Sequence, residues 1–557
     1  AGLGDAYERA LVRGGLADLA GILGAATEGA RRWPGLPLLL LDLPLASRAY
    51  VEFVSALALQ SPAVCAATLA ADERRVAEFE RILGVRAERP AAPGDDALER
   101  LRRNLFLSER PEASAYDETL ALFSSPGESL EAVEIARRIL RLGARFDRIA
   151  ILLRNPERYQ PLIEEALRRA RIPAYFSRGT ARPDAGGRAF LALLGCAADG
   201  CSASRFAEYL SLGQIPPLDG AGAPAQREAE WIGADDELFA GGGQAVAREP
   251  VDAPKGIATP LAWEKLIVDA AVIGKYERWE RRLRGLEGEF RIQLAGLGPE
   301  DQNERERLER ELDRLATLEH FALPLIEQLH ALPKSAVWRD WLDALRRLAA
   351  RALPDSQAVL QTLAELEPMA EVGPVGIDEV YGVLADRLRT LRQEPPHRRY
   401  GAVFIGAIDE ARGRVFDYVF LPGLAEGLFP KRANEDPLLL DVRRREISPS
   451  LATSDDRIAE ERLLLHTAVA SAARCFTASY PSMDLTQGRP RVPSFYALEI
   501  ARAIEGRVPQ LREFEKRLSD AAEARLVWPA PKDAAHSIDD AEYDLAWLAA
   551  HRDERGG

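Results

Sequence analysis

The chain has 557 residues, which is too many for one hydrophobic core, so we expect about two to four domains. Its 47% hydrophobic and 29% charged content is ordinary for a globular protein, and no apolar run approaches the roughly 20 residues needed to cross a bilayer. The net charge of −14 argues against nucleic-acid binding over the whole surface but leaves room for a local basic channel.

Cysteine and histidine are too scattered to predict a metal site. No CxxC or HxxxH pair occurs, which favours reduced, buried cysteines in a cytoplasmic protein. The N-terminus lacks the basic-then-apolar order of a signal peptide. Because the chain begins on Ala1 rather than Met and stops at Gly557 after an expected helix, we expect it to be an internal piece of a longer protein. The four cysteines are Cys65, Cys196, Cys201 and Cys475.

The first predicted elements alternate between buried strands and amphipathic helices. LLLLD, residues 38 to 42, is an apolar strand that ends on an aspartate, with helices around it. From 117 onward, ETLALFSSPG and RIAILLR predict strands, and each is followed by an amphipathic helical stretch. Strand–helix–strand–helix order is typical of a parallel sheet covered by helices.

The composition changes between about 216 and 395. Residues 220–226 and 239–256 are rich in Gly, Ala and Pro and predict loops, and long charged helices follow. ERERLERELDRL, residues 304–315, places acidic and basic residues three or four apart, which favours a solvated helix face over a binding surface. Buried strands return at AVFIGAI and DYVFLPGL, so an α/β domain is interrupted by a mainly helical insertion.

The loop after the last of these strands is the first place to look for function. YVFLP has no polar alternation, as expected of a parallel strand buried on both faces. Ligands of open α/β sheets sit beyond the carboxyl ends of such strands. Gly423 and Gly427 then either permit a tight turn alone or also let the loop approach a ligand, and the sequence leaves both interpretations open.

Several segments, in this order, resemble the second half of superfamily 1 DNA helicases of the UvrD/RecB type, and most closely the AddB-like subunit of bacterial helicase–nucleases. The resemblance covers roughly residues 36 to 500. It rests on FSSPGESLEAVEIARRI with the RIAILLRNPERYQ stretch after it, VFIGAIDEARGRVFDYVFLPGLAEGLFP, AEERLLLHTAVASAARCFTASYP, and GRPRVPSFYALEI.

The resemblance implies RecA-like, P-loop NTPase-type helicase lobes of the α/β class, with parallel sheets flanked by helices and a mainly helical insertion. The implied domains are the remainder of a first RecA-like domain with a degenerate Walker B region (1–108), the first part of a second RecA-like domain (109–215), a 2B-like helical insertion (216–395), the second part of that RecA-like domain with segments similar to motifs V and VI (396–500), and a linker toward a C-terminal nuclease domain (501–557).

The residues expected to split ATP depart from the family pattern. No GxxxxGK[ST] loop occurs in the chain. Asp42 matches the metal-associated aspartate, but Leu43 stands where the general-base glutamate is expected. Val415 replaces the motif V glutamate expected near the ribose, and Ser471 replaces the motif VI arginine, with Arg474 as a possible substitute one helical turn on. We therefore assign no catalytic residue and no metal site.

The same resemblance marks a vestigial nucleotide site and a set of DNA contacts. The vestigial site comprises Asp42, Arg412, Gly413 and Arg474. The candidate DNA contacts are Arg489, Arg491, Ser494, Arg178, Arg182 and Phe429.

Physical reasons support these DNA contacts, each beside a plainer alternative. Arg489 and Arg491 flank Pro490, which keeps the segment extended so that both can reach phosphates, unless it is only an exposed basic loop. Phe429 is the strongest candidate for base stacking because we expect its loop to be exposed, whereas we expect core packing for most other aromatics.

The favoured hypothesis is a DNA-binding, non-motor subunit of an AddAB-type complex in double-strand break repair and recombination. The resemblance implies an AddA-like helicase–nuclease partner, and a nuclease domain beyond Gly557 that in some relatives carries an iron–sulfur cluster. Two alternatives remain. One is an ATP- and magnesium-dependent translocase whose P-loop precedes Ala1, and the other is a structural scaffold without DNA contact. No membrane partner is expected.

Overall fold

The structure is a computed structural model that describes residues 2–14, 16–33, 35–89, 94–216, 218, 260–298, 300–393, 395, 399–448, 451–523 and 525–551. The predicted loops at 220–226 and 239–256 lie outside the described residues. The chain divides into two compact units. The helical unit comprises Ala1–Leu16 and Thr180–Gln393, and the sheet unit comprises Ala17–Gly179 and Glu394–Gly557.

The strands, in chain order, are β1 (Leu38–Leu41), β2 (Val64–Ala67), β3 (Leu120–Ser125), β4 (Ile149–Leu153), β5 (Ala174–Phe176), β6 (Thr180–Pro183), β7 (Thr390–Gln393), β8 (Val403–Ala407), β9 (Phe416–Leu421), β10 (Ala472–Pro481), β11 (Met483–Asp484) and β12 (Arg489–Pro490).

The helices are α1 (Gly2–Gly14), α2 (Leu19–Ala30), α3 (Arg48–Gln60), α4 (Glu73–Leu83), α5 (Ala97–Asn104), α6 (Glu128–Leu142), α7 (Pro156–Arg169), α8 (Ala185–Ala198), α9 (Ala203–Ser211), α10 (Pro260–Asp269), α11 (Tyr276–Ala295), α12 (Gln302–His330), α13 (Trp338–Ala352), α14 (Gln357–Ala364), α15 (Ile377–Arg389), α16 (Asp441–Ile447), α17 (Ser454–Ala470), α18 (Phe495–Glu505), α19 (Leu511–Asp520) and α20 (Asp540–His551).

The sheet unit is built on a six-stranded parallel sheet in the order β3-β10-β9-β4-β8-β5. Every residue of β4 and β8 is buried, because helices cover both faces of the sheet. On β4, Ile149 and Ile151 pack toward α6 and α7, whereas Ala150 and Leu152 pack toward α5, α17 and α18. The predicted α/β fold with a helix-flanked parallel sheet is confirmed.

A smaller parallel sheet, β1 with β2, belongs to the same unit and positions Asp42. Leu38 pairs with Val64 and Leu41 with Ala67. Leu40 packs with Val54 of α3 and Phe79 of α4 in a small core. The first turn beyond β1 therefore presents Asp42 at the carboxyl end of a strand, as expected from LLLLD.

The helical unit has its own core, formed by α8 to α15 around buried tryptophans such as Trp279, Trp338 and Trp341. β6 and β7 form an antiparallel pair in it. The expected charge pairing along α12 is present, with Arg307 Nη1 3.3 Å from Glu304 Oε1 on an exposed face. This unit includes α8 and α9, which the sequence assigned to 109–215, and the domain assignment stays a prediction.

The predicted burial of the cysteines can be compared with the structure directly. The four cysteines are free thiols; Cys196 and Cys201 are buried as expected, whereas Cys65 is exposed, so its predicted burial is wrong. β2 lies in a two-stranded sheet whose outer face is uncovered within the described residues, which explains that exposure. No helix among the described residues is long and apolar enough to cross a membrane.

Candidate functional site

An ion-pair cluster surrounds the aspartate that follows β1. The Asp42 N–H donates to the carbonyl of Ala67 at 2.7 Å, and Thr68 Oγ1 donates to Asp42 Oδ1 at 3.0 Å. Arg412 Nη1 lies 3.4 and 3.5 Å from the two Asp42 carboxylate oxygens and 3.8 Å from Asp72 Oδ2. Both oxygens of Asp42 are therefore engaged by groups of the protein itself.

A second arginine closes this cluster. Arg75 Nε lies 3.0 Å from Asp72 Oδ2, and Arg75 Nη1 donates to the carbonyl of Leu43 at 2.7 Å. Burial lowers the pKa of the Arg75 guanidinium, with Asp72 opposing that effect and Arg412 adding to it. The side chains of Arg75, Arg412 and Asp42 are only 14, 14 and 11% exposed. The carboxylates of Asp42 and Asp72 and the guanidinium groups of Arg75 and Arg412 thus form a closed, largely buried set. We call these four residues the latch cluster.

Gly413 permits the approach of Arg412 to Asp42. Its φ is +67°, and a Cβ placed on it would lie 3.3 Å from the carbonyl oxygen of Leu41. Both the left-handed backbone and the close contact with β1 favour glycine. The structure therefore brings together three of the four predicted vestigial residues, Asp42, Arg412 and Gly413, while their role at a nucleotide site stays a prediction.

The latch cluster does not fit a magnesium–nucleotide site. Magnesium requires carboxylate oxygens that are free to coordinate it, and those of Asp42 already face Arg412 and Thr68. Leu43 supplies an apolar side chain that packs on the small core of Leu40 and Phe79. Among the described residues, no group of three or more His, Cys, Asp or Glu side chains is placed to hold a metal ion. The latch cluster therefore supports no catalytic step through magnesium or ATP.

Arg474 is not brought to Asp42. It lies near the start of β10, where its Nε is 3.6 Å from Asp417 Oδ2 and its side chain is 68% exposed. Arg145 and Arg148 line the same surface cleft. Arg474, the fourth residue predicted for the vestigial site, therefore lies beside Asp417, Arg145 and Arg148 and has no contact with Asp42 among those described.

A buried glutamate fixes the loop that follows β9. Glu131, in the first turn of α6, accepts hydrogen bonds from the Gly423 N–H at 3.0 Å, from Ser479 Oγ at 2.6 Å and from the Tyr159 hydroxyl at 2.7 Å. Burial raises the pKa of Glu131 to about 7, although the three donors favour the charged form. Burial and the neighbouring Glu131 raise the pKa of Tyr159.

Glycine is required where the chain leaves β9. Gly423 has φ of +86°, and a Cβ on it would lie 3.1 Å from the Tyr159 ring. The sharp turn at the carboxyl edge of the sheet, predicted from the sequence, is observed, and its glycine has a steric reason. Gly427 also has a positive φ, but open space surrounds it.

Backbone hydrogen bonds join this loop, residues 422–430, to the segment before α18. The Leu424 N–H donates to the carbonyl of Ser479 at 2.9 Å, and the Ser494 N–H donates to the carbonyl of Leu424 at 2.8 Å. The Glu426 N–H donates to the carbonyl of Val492 at 3.1 Å. The loop and the segment that leads into α18, which are the two segments predicted to contact DNA, thus form one continuous surface. We call it the carboxyl-edge surface.

Two predicted DNA contacts on this surface are contradicted by burial. Phe429 is completely buried, with its ring edge-on to Tyr496 at a centroid distance of 5.2 Å, so the prediction of an exposed stacking ring is wrong. Because the loop folds back over the core, its apolar side chains pack beneath it. Ser494 is also completely buried, and its Oγ has no hydrogen-bond partner, so the predicted contact to phosphate is wrong in this conformation.

The two arginines around Pro490 differ from each other. Arg489 is exposed on β12. Arg491 is only 13% exposed, because it pairs with Asp484 and lies 3.6 Å from Glu128 Oε1. The extended segment therefore points one guanidinium outward and turns the other inward, and the phosphate contacts of both arginines stay predictions.

Arg178 and Arg182, the two remaining predicted DNA contacts, belong to different units. Arg178, in the sheet unit, is hydrogen-bonded to Glu410 and lies 3.6 Å from Asp409, so acidic groups already compensate its charge. Arg182 lies on β6 in the helical unit, and its side chain is outside the described residues.

The structure adds exposed residues that the sequence pattern ranked low or missed. Phe495, the first residue of α18, is 54% exposed and is better placed for stacking than Phe429. Lys431 and Arg432 follow the loop and are exposed, although Arg432 lies 3.6 Å from Glu426. The signal that could have found these two basic residues is the PKR run at the end of the loop.

A partly buried ion pair behind this surface was also missed. Arg154, immediately after β4, has its Nε 3.1 Å from each carboxylate oxygen of Glu461 on α17. Glu461 Oε2 also accepts from the Lys431 N–H at 3.2 Å. The pair ties the end of β4 to the chain beyond the loop and so helps hold the carboxyl-edge surface in place.

Comparison with known proteins gives one partial similarity. No protein-family model matches the chain. Over 181 residues the chain is 28% identical to a subunit of the ATP-dependent helicase/deoxyribonuclease of Moorella thermoacetica, an alignment that covers 32% of this chain. The chain spans 14% of the length of that relative. The similarity supports a helicase–nuclease family and no finer assignment.

Proposed function

We propose that this chain is part of a DNA-binding, helicase-like subunit that does not hydrolyse ATP and that works in a helicase–nuclease complex. The observation that carries the proposal is the latch cluster, in which Arg412 engages the carboxylate of Asp42. A guanidinium group stands at the carboxylate that would otherwise coordinate magnesium.

Burial makes this ion pair costly to open. Freeing Asp42 for a metal ion requires Arg412 to leave, so an ion pair whose side chains are only 14 and 11% exposed has to be broken before a metal can bind. Leu43 offers no base for water even then.

The missing positive charge in the motif VI-like segment also argues against ATP hydrolysis. Ser471 is 2% exposed and donates its hydroxyl to the carbonyl of Thr467 at 2.6 Å, so it faces its own helix. Loss of an arginine that stabilises the transferring phosphate costs a factor on the order of 10³ to 10⁵ in rate. Neither Leu43 nor Ser471 therefore favours the alternative of an active translocase.

DNA binding is supported by the carboxyl-edge surface. Arg489 and Lys431 offer positive charge to phosphates, and Phe495 offers an exposed ring, where stacking of a base contributes about 1–3 kcal/mol. Glu131 and Glu461 accept hydrogen bonds from the backbone N–H groups of Gly423 and Lys431, near the two ends of the loop on this surface.

The name of the Moorella relative, which describes a subunit of an ATP-dependent helicase/deoxyribonuclease, supports a place in a multisubunit enzyme. We infer an AddA-like partner that supplies the motor, and a role in double-strand break repair and recombination.

The affinity for single-stranded DNA tests this function when it is measured with and without a non-hydrolysable ATP analogue and magnesium. A subunit without a nucleotide site binds DNA equally in both conditions. A nucleotide-dependent change in affinity would contradict the non-motor role, and no DNA binding in either condition would favour a purely structural scaffold.

A further inference from the structure

A second surface cleft lies at the amino edge of the six-stranded sheet, opposite the carboxyl-edge surface. It is about 450 Å³ in volume and lies where β4, β9 and β10 begin. Arg145, Arg148 and Arg474 line it together with Asp417 and Tyr418. Nothing in the proposed function uses this cleft, which we call the arginine cleft.

The charges of the arginine cleft are not balanced. Arg145 Nη2 lies 2.7 Å from Asp147 Oδ2, and Arg474 Nε lies 3.6 Å from Asp417 Oδ2, which is an ion pair without a hydrogen bond. Arg148 is exposed, and its guanidinium has no hydrogen bond or ion pair within the described part of the chain. At least two guanidinium groups therefore keep donors that are free for a ligand.

Two further arginines, Arg399 and Arg414, do not line the cleft but lie near each other on the same unit, and Arg399 contacts Asp147. Arg399 Nη2 donates to the carbonyl of Asp147 at 3.3 Å, and its Nη1 is buried without a partner. Its guanidinium lies 5.1 Å from the Phe416 ring centroid, and that of Arg414 lies 5.1 Å from the Phe404 ring centroid. In a chain with a net charge of −14, the three lining arginines outnumber the neighbouring acids Asp147 and Asp417, so the cleft carries a local excess of positive charge.

We propose that the arginine cleft binds a backbone phosphate of a nucleic acid strand, held by Arg148 and Arg474. The planar guanidinium fork matches two phosphate oxygens and forms paired, charge-assisted hydrogen bonds. The choice of a nucleic acid as the phosphate carrier rests on the proposed function, whereas the choice of phosphate rests on the cleft alone. A free nucleotide carries the same chemistry, so the experiment separates the two sources.

The cleft and the carboxyl-edge surface are far enough apart to be tested independently. β9 runs from one edge to the other, and its six residues span about 20 Å. Substitutions at that separation act additively. The effect of removing Arg148 and Arg474 is therefore distinct from that of removing Arg489.

The test is the affinity of the protein for a labelled single-stranded oligonucleotide over a series of salt concentrations. Each phosphate contact to a single strand contributes a slope of about −0.7 in the logarithmic salt plot, which is about fivefold in affinity at 0.1 M salt. Because both arginines hold the same phosphate, the double variant Arg148→Ala/Arg474→Ala should bind about fivefold more weakly at that salt, with a slope shallower by about 0.7.

The control variant Arg507→Ala/Arg512→Ala removes the same charge from exposed arginines elsewhere in the sheet unit. Equal affinities of the cleft variant and this control would overturn the proposal. The double variant Arg148→Lys/Arg474→Lys should keep most of the salt slope, because the charge is retained. A salt slope in the Lys variant as shallow as in the Ala variant would also overturn it, because the retained charges would then contact no phosphate.

Two further outcomes separate the possible failures. If ADP binds the unmodified protein, fails to bind the cleft variant, and oligonucleotide affinity is unchanged, the cleft is a mononucleotide site and the strand proposal is overturned. If the unmodified protein binds no oligonucleotide, the proposed function fails with it. If the unmodified protein and the cleft variant bind the oligonucleotide equally well, the cleft proposal alone is overturned.

Discussion

Replacement of Glu131 by glutamine tests how the loop after β9 is held. The buried carboxyl group accepts hydrogen bonds from the Gly423 N–H, the Ser479 hydroxyl and the Tyr159 hydroxyl. Glutamine has nearly the same shape, its carbonyl can accept from the first two donors, and its amide can donate to the Tyr159 oxygen. The variant therefore keeps the contacts of the neutral acid at every pH.

The size of the effect follows from the pKa of this group. In the folded protein the pKa of Glu131 is about 7, against 4.5 for an unperturbed glutamate, because burial disfavours the charge and Glu128 lies nearby. A raised folded pKa means that the stabilisation is complete below pH 4.5 and is lost as the pH rises to about 7. At ~1.4 kcal/mol for each pH unit, the loss is about 3 kcal/mol.

Hydrogen exchange of peptides from β9 and β10, corrected for the intrinsic pH dependence of exchange, reports the free energy of opening of this sheet. We expect the unmodified protein to lose about 3 kcal/mol more than Glu131→Gln between pH 4.5 and 7.5. The variant Glu118→Gln, at an exposed position before β3, is the control. An identical pH dependence in the unmodified protein and Glu131→Gln would refute the reasoning.

Three further predictions concern the latch cluster and the carboxyl-edge surface. Arg412→Ala should destabilise the sheet unit by about 3–5 kcal/mol in urea unfolding, because Asp42 keeps an uncompensated charge; a loss near zero would contradict the buried pair. Phe429→Ala should also cost about 3–5 kcal/mol and leave the DNA affinity of the folded protein unchanged, whereas a loss of affinity without destabilisation would restore an exposed ring. Arg489→Ala should weaken single-stranded DNA binding about fivefold at 0.1 M salt, and an unchanged titration would remove this residue from the interface.

Two central strands of the larger sheet could be predicted because each is a continuous apolar run. RIAILLR and AVFIGAI lie on β4 and β8, whose residues are all buried. The turn at Gly423 was also predictable, since a strand buried on both faces has to end in a loop at the sheet edge. What the sequence could not supply was the close contact of the Tyr159 ring, which together with the positive φ favours glycine there.

The candidate site was predicted less well, because side-chain direction depends on distant partners. Arg489 and Arg491 are equivalent in sequence, but only Arg491 meets Asp484 and Glu128, and these acids turn it inward. Phe429 was expected to be exposed because it lies in a loop at the edge of the sheet, yet its ring packs against Tyr496 in the core.

The latch cluster around Asp42 also depends on partners that are distant in the sequence. The sequence marked Asp42 and Arg412 separately as remnants of a nucleotide site. Their mutual ion pair, and its closure by Asp72 and Arg75, depends on the contact of two segments 370 residues apart in the chain. Such a contact leaves no local pattern in the sequence.

The proposed absence of ATP hydrolysis is the central claim, and steady-state turnover measures it directly. The full-length protein, purified without any partner, is incubated with ATP and magnesium in the presence and absence of single-stranded DNA. We predict no phosphate release above that of a protein-free control in either condition. Phosphate release that DNA stimulates would contradict the claim, since the pair of Arg412 and Asp42 would then have to open to admit the metal.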